Sequence, residues 1–225
     1  MERAFIYGDS LLKATMPDAD MRYHFHLPEV MARYPSDRLE VVNRAKMGAT
    51  VTKGLSLVEH DTARGMDARW ALVAYGGNDS DFDWPAIADA PDQEHLPRTA
   101  LPEFVEKLRC AAKTLYNAGV QPVLMTLPPI DSARYFAFIS RRSDGQRILD
   151  WLGDVGRIYR HQELYSDAVA ALAMSEGLPL IDVRRQFLPL RDLPRLIAAD
   201  GIHLTMPGYR QLFDTLAAWV REQLP

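Results

Sequence analysis

The residues of this chain best suited to chemistry are a serine near one end and an aspartate–histidine pair near the other. Ser10 lies in Gly8-Asp9-Ser10-Leu11, and Asp200 and His203 lie in Asp200-Gly201-Ile202-His203-Leu204. A serine hydroxyl is a weak nucleophile until a base takes its proton during attack. His203 suits that task, because imidazole exchanges protons readily near neutral pH. Asp200, three residues earlier, can reach the second imidazole nitrogen, fix the tautomer and stabilise the imidazolium that forms. Between these ends stand Gly48 and the run Gly76-Gly77-Asn78-Asp79. Taken singly, each piece reads more simply. Gly-Asp-Ser and Asn-Asp make turns, an Asp before a helix caps it, and Gly48 can be a turn glycine.

What joins them is the pattern of elements. Short apolar runs at residues 4–7, 39–43, 70–75, 122–127 and 178–183 read as strands. They are continuously apolar rather than alternating, as strands covered on both faces are. Helical patterns separate them, at residues 27–33, 51–64, 102–118, 159–175 and from 207 or 208 to 223. The clearest has Phe104, Val105, Leu108, Ala112 and Leu115 at helical spacing and Gly119 as its stop. The expected fold is therefore α/β: one 225-residue domain with a five-stranded parallel sheet between two helical layers, flavodoxin-like. In such sheets ligands bind beyond the carboxyl ends of the strands. The first strand delivers Asp9 and Ser10 there, the second leads to Gly48, the third delivers Asn78, and the chain beyond the fifth reaches Asp200 and His203. Residues 80–100 and 128–154 break the rhythm and read as long loops, the second holding Tyr135, Phe136, Phe138 and Ile139.

Composition narrows the function classes. Apolar residues make up 48% and charged residues 25%, the balance of a soluble globular protein. The net charge of −4, with acids and bases interspersed, offers no basic stripe for nucleic acid. No signal-peptide pattern opens the chain and no run approaches the ~18 apolar residues of a membrane span. A cytoplasmic protein without a membrane span is the expectation, one compatible with a homo-oligomer. Cys110 is the one cysteine, which excludes an intrachain disulfide and every multi-cysteine zinc pattern.

Here the motifs become specific. Gly8-Asp9-Ser10-Leu11 resembles the first block of the SGNH/GDSL hydrolase family. Residues 43–48, ending in Gly48, resemble its second block, with Ala45 where members often carry glycine. Gly76-Gly77-Asn78-Asp79 is similar to its G-x-N-D block, and Asp200-Gly201-Ile202-His203 to its terminal D-x-x-H block. The resemblance implies the SGNH fold and a catalytic triad of Ser10, Asp200 and His203. It also implies an oxyanion hole built from the backbone N–H of Ser10 and Gly48 and the Asn78 side-chain amide. The implied reaction is hydrolysis of a carboxylic ester on a small-molecule substrate through an acyl-Ser10 intermediate, with a small acyl group on a sugar or other alcohol as one candidate. A lipid or thioester acylhydrolase, an acyltransferase with the same triad, and a non-catalytic ligand-binding protein are the alternatives. The G-x-S-x-G elbow, Walker lysine motif, G-x-G-x-x-G fingerprint and H-E-x-x-H pair are missing, so neither cofactor nor metal is expected.

Other groups read as structural. Asp9 and Asp79 are expected to hold loops by hydrogen bonds. His24 and His26 lack a third metal ligand, and His60, His95 and His161 read as surface or packing residues. Cys110 has no activating pattern around it. Arg141 and Arg142 could meet an anionic substrate group or simply be solvated. Trp84 and the cluster at 135–139 could line a pocket or pack.

Overall fold

The computed structural model describes residues 1–224. Strand β1 (Glu2–Gly8) leads into a 3-10 turn at Leu11–Lys13 and then a small antiparallel hairpin, β2 (Thr15–Pro17) with β3 (Tyr23–Phe25). The chain continues through β4 (Leu39–Asn43), β5 (Trp70–Ala74), β6 (Gln121–Met125) and β7 (Leu180–Ile181). These four and β1 form one parallel sheet in the order β4-β1-β5-β6-β7. Counting sheet strands alone, that is second, first, third, fourth, fifth, the flavodoxin-like order expected from sequence. Ser10 thus follows β1, the strand at which the order reverses and beside which such folds hold their ligands.

The helices are α1 (Leu27–Met31), α2 (Val51–Ala63), α3 (Trp84–Asp89), α4 (Leu101–Asn117), α5 (Ser132–Ile139), α6 (Gly145–Leu152), α7 (Gly156–Glu176), α8 (Val183–Phe187), α9 (Leu193–Leu196) and α10 (Met206–Gln223). Successive strand residues supply opposite faces. Ile6, Leu72, Val123 and Ile181 pack with α1, α8 and α10, whereas Tyr7, Val73 and Leu124 pack with α2, α4 and α7. Each fully buried side chain of this size stabilises the fold by about 1.5–3 kcal/mol, which is why the apolar runs read so plainly as strands.

Two expectations need correction. Residues 80–100 and 128–154 are not plain loops: the first contains α3, the second α5 and α6. Each of these helices starts on an aspartate whose carboxylate accepts a backbone N–H, Asp83 from Ala86, Asp131 from Arg134 and Asp144 from Gln146 and Arg147. They build a third apolar cluster, with Trp84, Ile87, Tyr135, Ile148 and Leu152 buried, beside the carboxyl ends of the strands. The fifth strand is shorter than expected, because Asp182 accepts from the Arg185 N–H and starts α8 at Val183.

Helix α10 is tied to the hairpin by one buried bond. The Tyr209 hydroxyl, on a side chain with no exposure, donates to the Thr15 carbonyl at 2.6 Å. Tyr209→Phe removes the donor and leaves that carbonyl unsatisfied, so it is expected to destabilise the protein by about 1–3 kcal/mol in urea unfolding. A midpoint equal to that of the native protein would show that water replaces the bond at no cost.

Candidate active site

Ser10 sits in the turn between β1 and the hairpin, 8% exposed. Its carbonyl accepts the N–H groups of both Lys13 and Thr15 at 3.2 Å, so the hairpin hangs directly on the serine's own peptide. The second block is sewn to the same turn. Asn43 donates to the Leu12 carbonyl at 2.8 Å and accepts from Ala45 N–H, while Lys46 N–H bonds the Gly8 carbonyl at 3.0 Å.

Asp200 and His203 share a tight loop before α10. An antiparallel bridge between Ile197 and Leu204 closes it, and Ala198 N–H donates to the His203 carbonyl. Gly201 makes the loop feasible: its φ is +80°, and a Cβ there would lie 2.4 Å from the Tyr135 nitrogen. The gain is a close fit against α5, sealed where Asp131 N–H meets the Gly201 carbonyl at 2.8 Å.

These two regions, 193 residues apart, meet in one hydrogen-bonded row. His203 Nε2 lies 2.9 Å from Ser10 Oγ, and His203 Nδ1 lies 2.6 Å from Asp200 Oδ2. The other Asp200 oxygen accepts the N–H groups of Ile202 and His203 at 3.2 and 3.0 Å. Burial works against the charged form of Asp200, but the His203 bond and charge and those two N–H groups hold its pKa below the usual carboxylate value. Chemically, the row can accept the serine proton at Nε2 while keeping the imidazole in one orientation.

The expected oxyanion donors lie on the same rim. Gly48 and Asn78 line the cleft that holds Ser10 and His203. Gly48 takes φ +69°, a conformation costly for other residues. Among the described residues, the Ser10 and Gly48 N–H groups have no protein acceptor. Asn78 differs: its Nδ2 already donates to Asp9 Oδ2 and the Ala49 carbonyl, both at 3.1 Å.

Asp9 and Asp79 are both buried. Asp9 accepts from Leu11 N–H and Asn78, and Asp79 accepts from Val51 N–H, so it caps α2 where Thr50 makes no side-chain bond. Burial raises both carboxyls to about 6, against those hydrogen bonds; for Asp79 the nearby Asp9 charge adds to the rise.

The remaining candidates fall as follows. His24 pairs with Asp18 and His26 with Glu29, both outward; His60 meets Asp61, and His95 meets the Ala90 carbonyl. Cys110 donates to Glu106, and its thiol pKa is raised by burial first and then by that carboxylate. Trp84 and Tyr135 both reach Asp81 and line the cleft with Phe138 and Ile139, while Phe136 packs against the third cluster. His161 is neither exposed nor mere packing. It lines a small cavity of about 90 Å³ beside Ser10 with Phe82, Trp151 and Ile158, and its Nε2 is buried without a partner.

Sequence reasoning missed Tyr23. Its ring lies 5.0 Å from that of His203; burial and then the nearby Asp200 charge push its pKa up. Tyr23 stands in a polar stretch with His24 and Arg22, where nothing marks a strand. The signal available was Asp18, whose carboxylate accepts from Asp20 and Arg22 N–H and turns the hairpin.

Comparison with known proteins gives the family. The GDSL-like Lipase/Acylhydrolase family matches residues 6–211. Among curated relatives, the chain is 21% identical to the isoamyl acetate-hydrolyzing esterase of Saccharomyces cerevisiae, covering 96% of this chain and 84% of that protein. It is 25% identical to the GDSL esterase/lipase CPRD49 of Arabidopsis thaliana, over 87% and 70% of the two chains. In three dimensions it is similar to Est24, a carbohydrate acetylesterase from Sinorhizobium meliloti, with a TM-score of 0.67, 14% identity and 100% of both chains covered. With its sheet, its rim and a family match over most of its length, this chain belongs to the GDSL-like lipase/acylhydrolase family and is an ester-hydrolysing enzyme.

Proposed function

We propose that the protein hydrolyses carboxylic esters of small acyl groups through an acyl-Ser10 intermediate. The observation that carries this is the unbroken row from Ser10 Oγ through His203 to Asp200, at 2.9 and 2.6 Å. In the first step His203 Nε2 takes the Ser10 proton as Oγ attacks the ester carbonyl carbon, and the carbonyl oxygen becomes an oxyanion. The imidazolium then gives its proton to the departing alcohol oxygen, leaving acyl-Ser10. Water repeats the sequence, with His203 as base and then as acid, and releases the carboxylic acid.

The oxyanion would take the open Ser10 and Gly48 N–H groups, with Asn78 as third donor once its bond to Asp9 yields. Asp9 keeps the Leu11 N–H in that case, so the exchange leaves no bare buried carboxylate. Tyr23, whose ring lies against that of His203, acts as a positioning residue that covers the pair from water. Space supports the small acyl group: the cavity beside Ser10 is about 90 Å³, against roughly 300–1,000 Å³ for an ordinary ligand pocket. The acetate and acetyl esters in the names of the yeast and Sinorhizobium relatives agree with that size.

Ser10→Ala is expected to lower kcat for a short aryl ester by on the order of 10⁴-fold or more and to abolish labelling by a fluorophosphonate. Full turnover in the variant would sink the mechanism. Asn78→Ala is expected to cost about 10²–10³ in kcat with little change in KM, the cost of one oxyanion donor. Across a p-nitrophenyl series, kcat/KM should drop at least about tenfold between butyrate and octanoate; a flat profile would refute the acyl assignment.

The buried carboxyls set a pH dependence of stability. Folded Asp9 binds its proton more tightly than the unfolded chain does, so its contribution favours folding at low pH and is lost as pH climbs through about 6. Asp9→Asn should therefore show a smaller fall in urea midpoint than the native protein between about pH 5 and pH 8. An equal fall in both proteins would place that titration elsewhere.

A further inference from the structure

The cleft outside Ser10 contains a pair of guanidinium groups that the reaction above does not use. We propose that Arg141 and Arg142 form an anion subsite on the leaving-group side, so that the favoured esters carry a carboxylate on their alcohol or phenol. The proposal deepens the reading of Ser10 as acyl acceptor and rests on it for which side of the bond faces the arginines.

The placement is direct. Arg141 and Arg142 line the same open cleft, about 770 Å³, as Ser10, Gly48 and His203. They follow the end of α5, where their N–H groups bond the Phe138 and Ile139 carbonyls, so their backbone is fixed. On the acyl-Ser10 reading the small cavity, lined deeper in by Leu127, Ile158 and His161, takes the acyl group, and the larger cleft that adjoins it is left to the departing group.

Their lack of partners sets them apart from neighbouring arginines. Arg134 pairs with Asp131, Arg147 with the Ala88 and Asp89 carbonyls, Arg157 with the Trp151 carbonyl and Arg160 with Asp154. Among the described residues, neither Arg141 nor Arg142 has an ion pair or a side-chain hydrogen bond. The acids Asp20, Asp81 and Asp83 equal Arg98, Arg141 and Arg142 in number, but none of the three bonds Arg141 or Arg142. Asp81 is taken up by Tyr135, Trp84 and Arg98, and Asp83 caps α3, which leaves only Asp20. In a protein of net charge −4, these two guanidiniums stand in the cleft without a bonded carboxylate. Two guanidiniums on one short segment offer planar paired donors, the geometry that a carboxylate accepts best.

The test compares para-acetoxybenzoate with para-acetoxybenzamide, which differ only in the charge of the phenol. Each enzymatic kcat/KM is divided by the rate of the same ester with hydroxide, removing the difference in leaving ability. The expected ratio favours the carboxylate by about tenfold or more, mainly through KM, and shrinks as salt is added. In the Arg141→Gln/Arg142→Gln protein the ratio should collapse toward one. A ratio near one in the native protein overturns the proposal, and so does a ratio that survives the double substitution. So does a preference for carboxylate on the acyl part alone, read as phenyl hemisuccinate over phenyl butyrate.

A binding measurement separates this proposal from the hydrolysis reading. Calorimetry on the Ser10→Ala protein should find para-hydroxybenzoate bound at least about tenfold more tightly than para-hydroxybenzamide, and equal binding overturns the subsite. Turnover of the amide ester that survives Ser10→Ala would instead overturn the mechanism and leave the binding comparison to decide the subsite.

Discussion

The arrangement of this molecule turns on one constraint: an imidazole is held almost out of water beside a carboxylate that is wholly so. His203 is 5% exposed and Asp200 is not exposed at all. A buried carboxylate is costly unless its lone pairs are met, and a half-satisfied pair is worse than an apolar core. Here the partners are supplied locally: Nδ1 of His203 and two backbone N–H groups of the same turn. The turn can be that tight because Gly201 accepts a left-handed conformation against α5. The hairpin exists at the right height because the Ser10 carbonyl anchors its first residues.

A second dependency joins the glycine loop to the third strand. Asp79, beyond β5, supplies the cap that α2 lacks on its own residue, and Asn78 holds the Ala49 carbonyl just before that helix. The loop carrying Gly48 is therefore positioned from outside, by two neighbouring side chains of another segment. Asp9 bonds Asn78 in turn, so the segments after β1, β4 and β5 share one hydrogen-bonded set. Substitutions in these three segments should behave non-additively, since they alter one network rather than three sites.

Most of this was legible from residue order. Runs such as Trp70–Ala74, buried at every position, can be little else than central strands, and strand ends locate the rim. The parts that were not legible have common physical causes. Helices α3, α5 and α6 span two turns or so, too short for an apolar stripe to repeat, though Asp83, Asp131 and Asp144 mark their starts. The hairpin carries exposed His24 and Phe25 and no apolar alternation in its second strand, so nothing in that stretch marks a strand. His161 reads as a surface or packing residue, and the ring it packs on, Phe82, reaches it from a segment read as a loop. The oxyanion side is where sequence said least: it named Asn78, but not that Asp9 and Ala49 hold its amide in the free protein.

The third apolar cluster differs in kind from the two that flank the sheet. It is assembled largely from helices of six to eight residues, α3, α5 and α6, each started by a single aspartate, and it shares no buried residue with the other two clusters. Such a unit can open while the sheet stays intact, because few of its contacts are also contacts of the sheet core. Backbone amides of α3, α5 and α6 should then exchange with solvent through an opening that costs less free energy than global unfolding. The same independence makes the cluster the part of the molecule most open to sequence change. It is tied to the loop of Asp200 and His203 where α5 meets Gly201, so change is freest away from that seam.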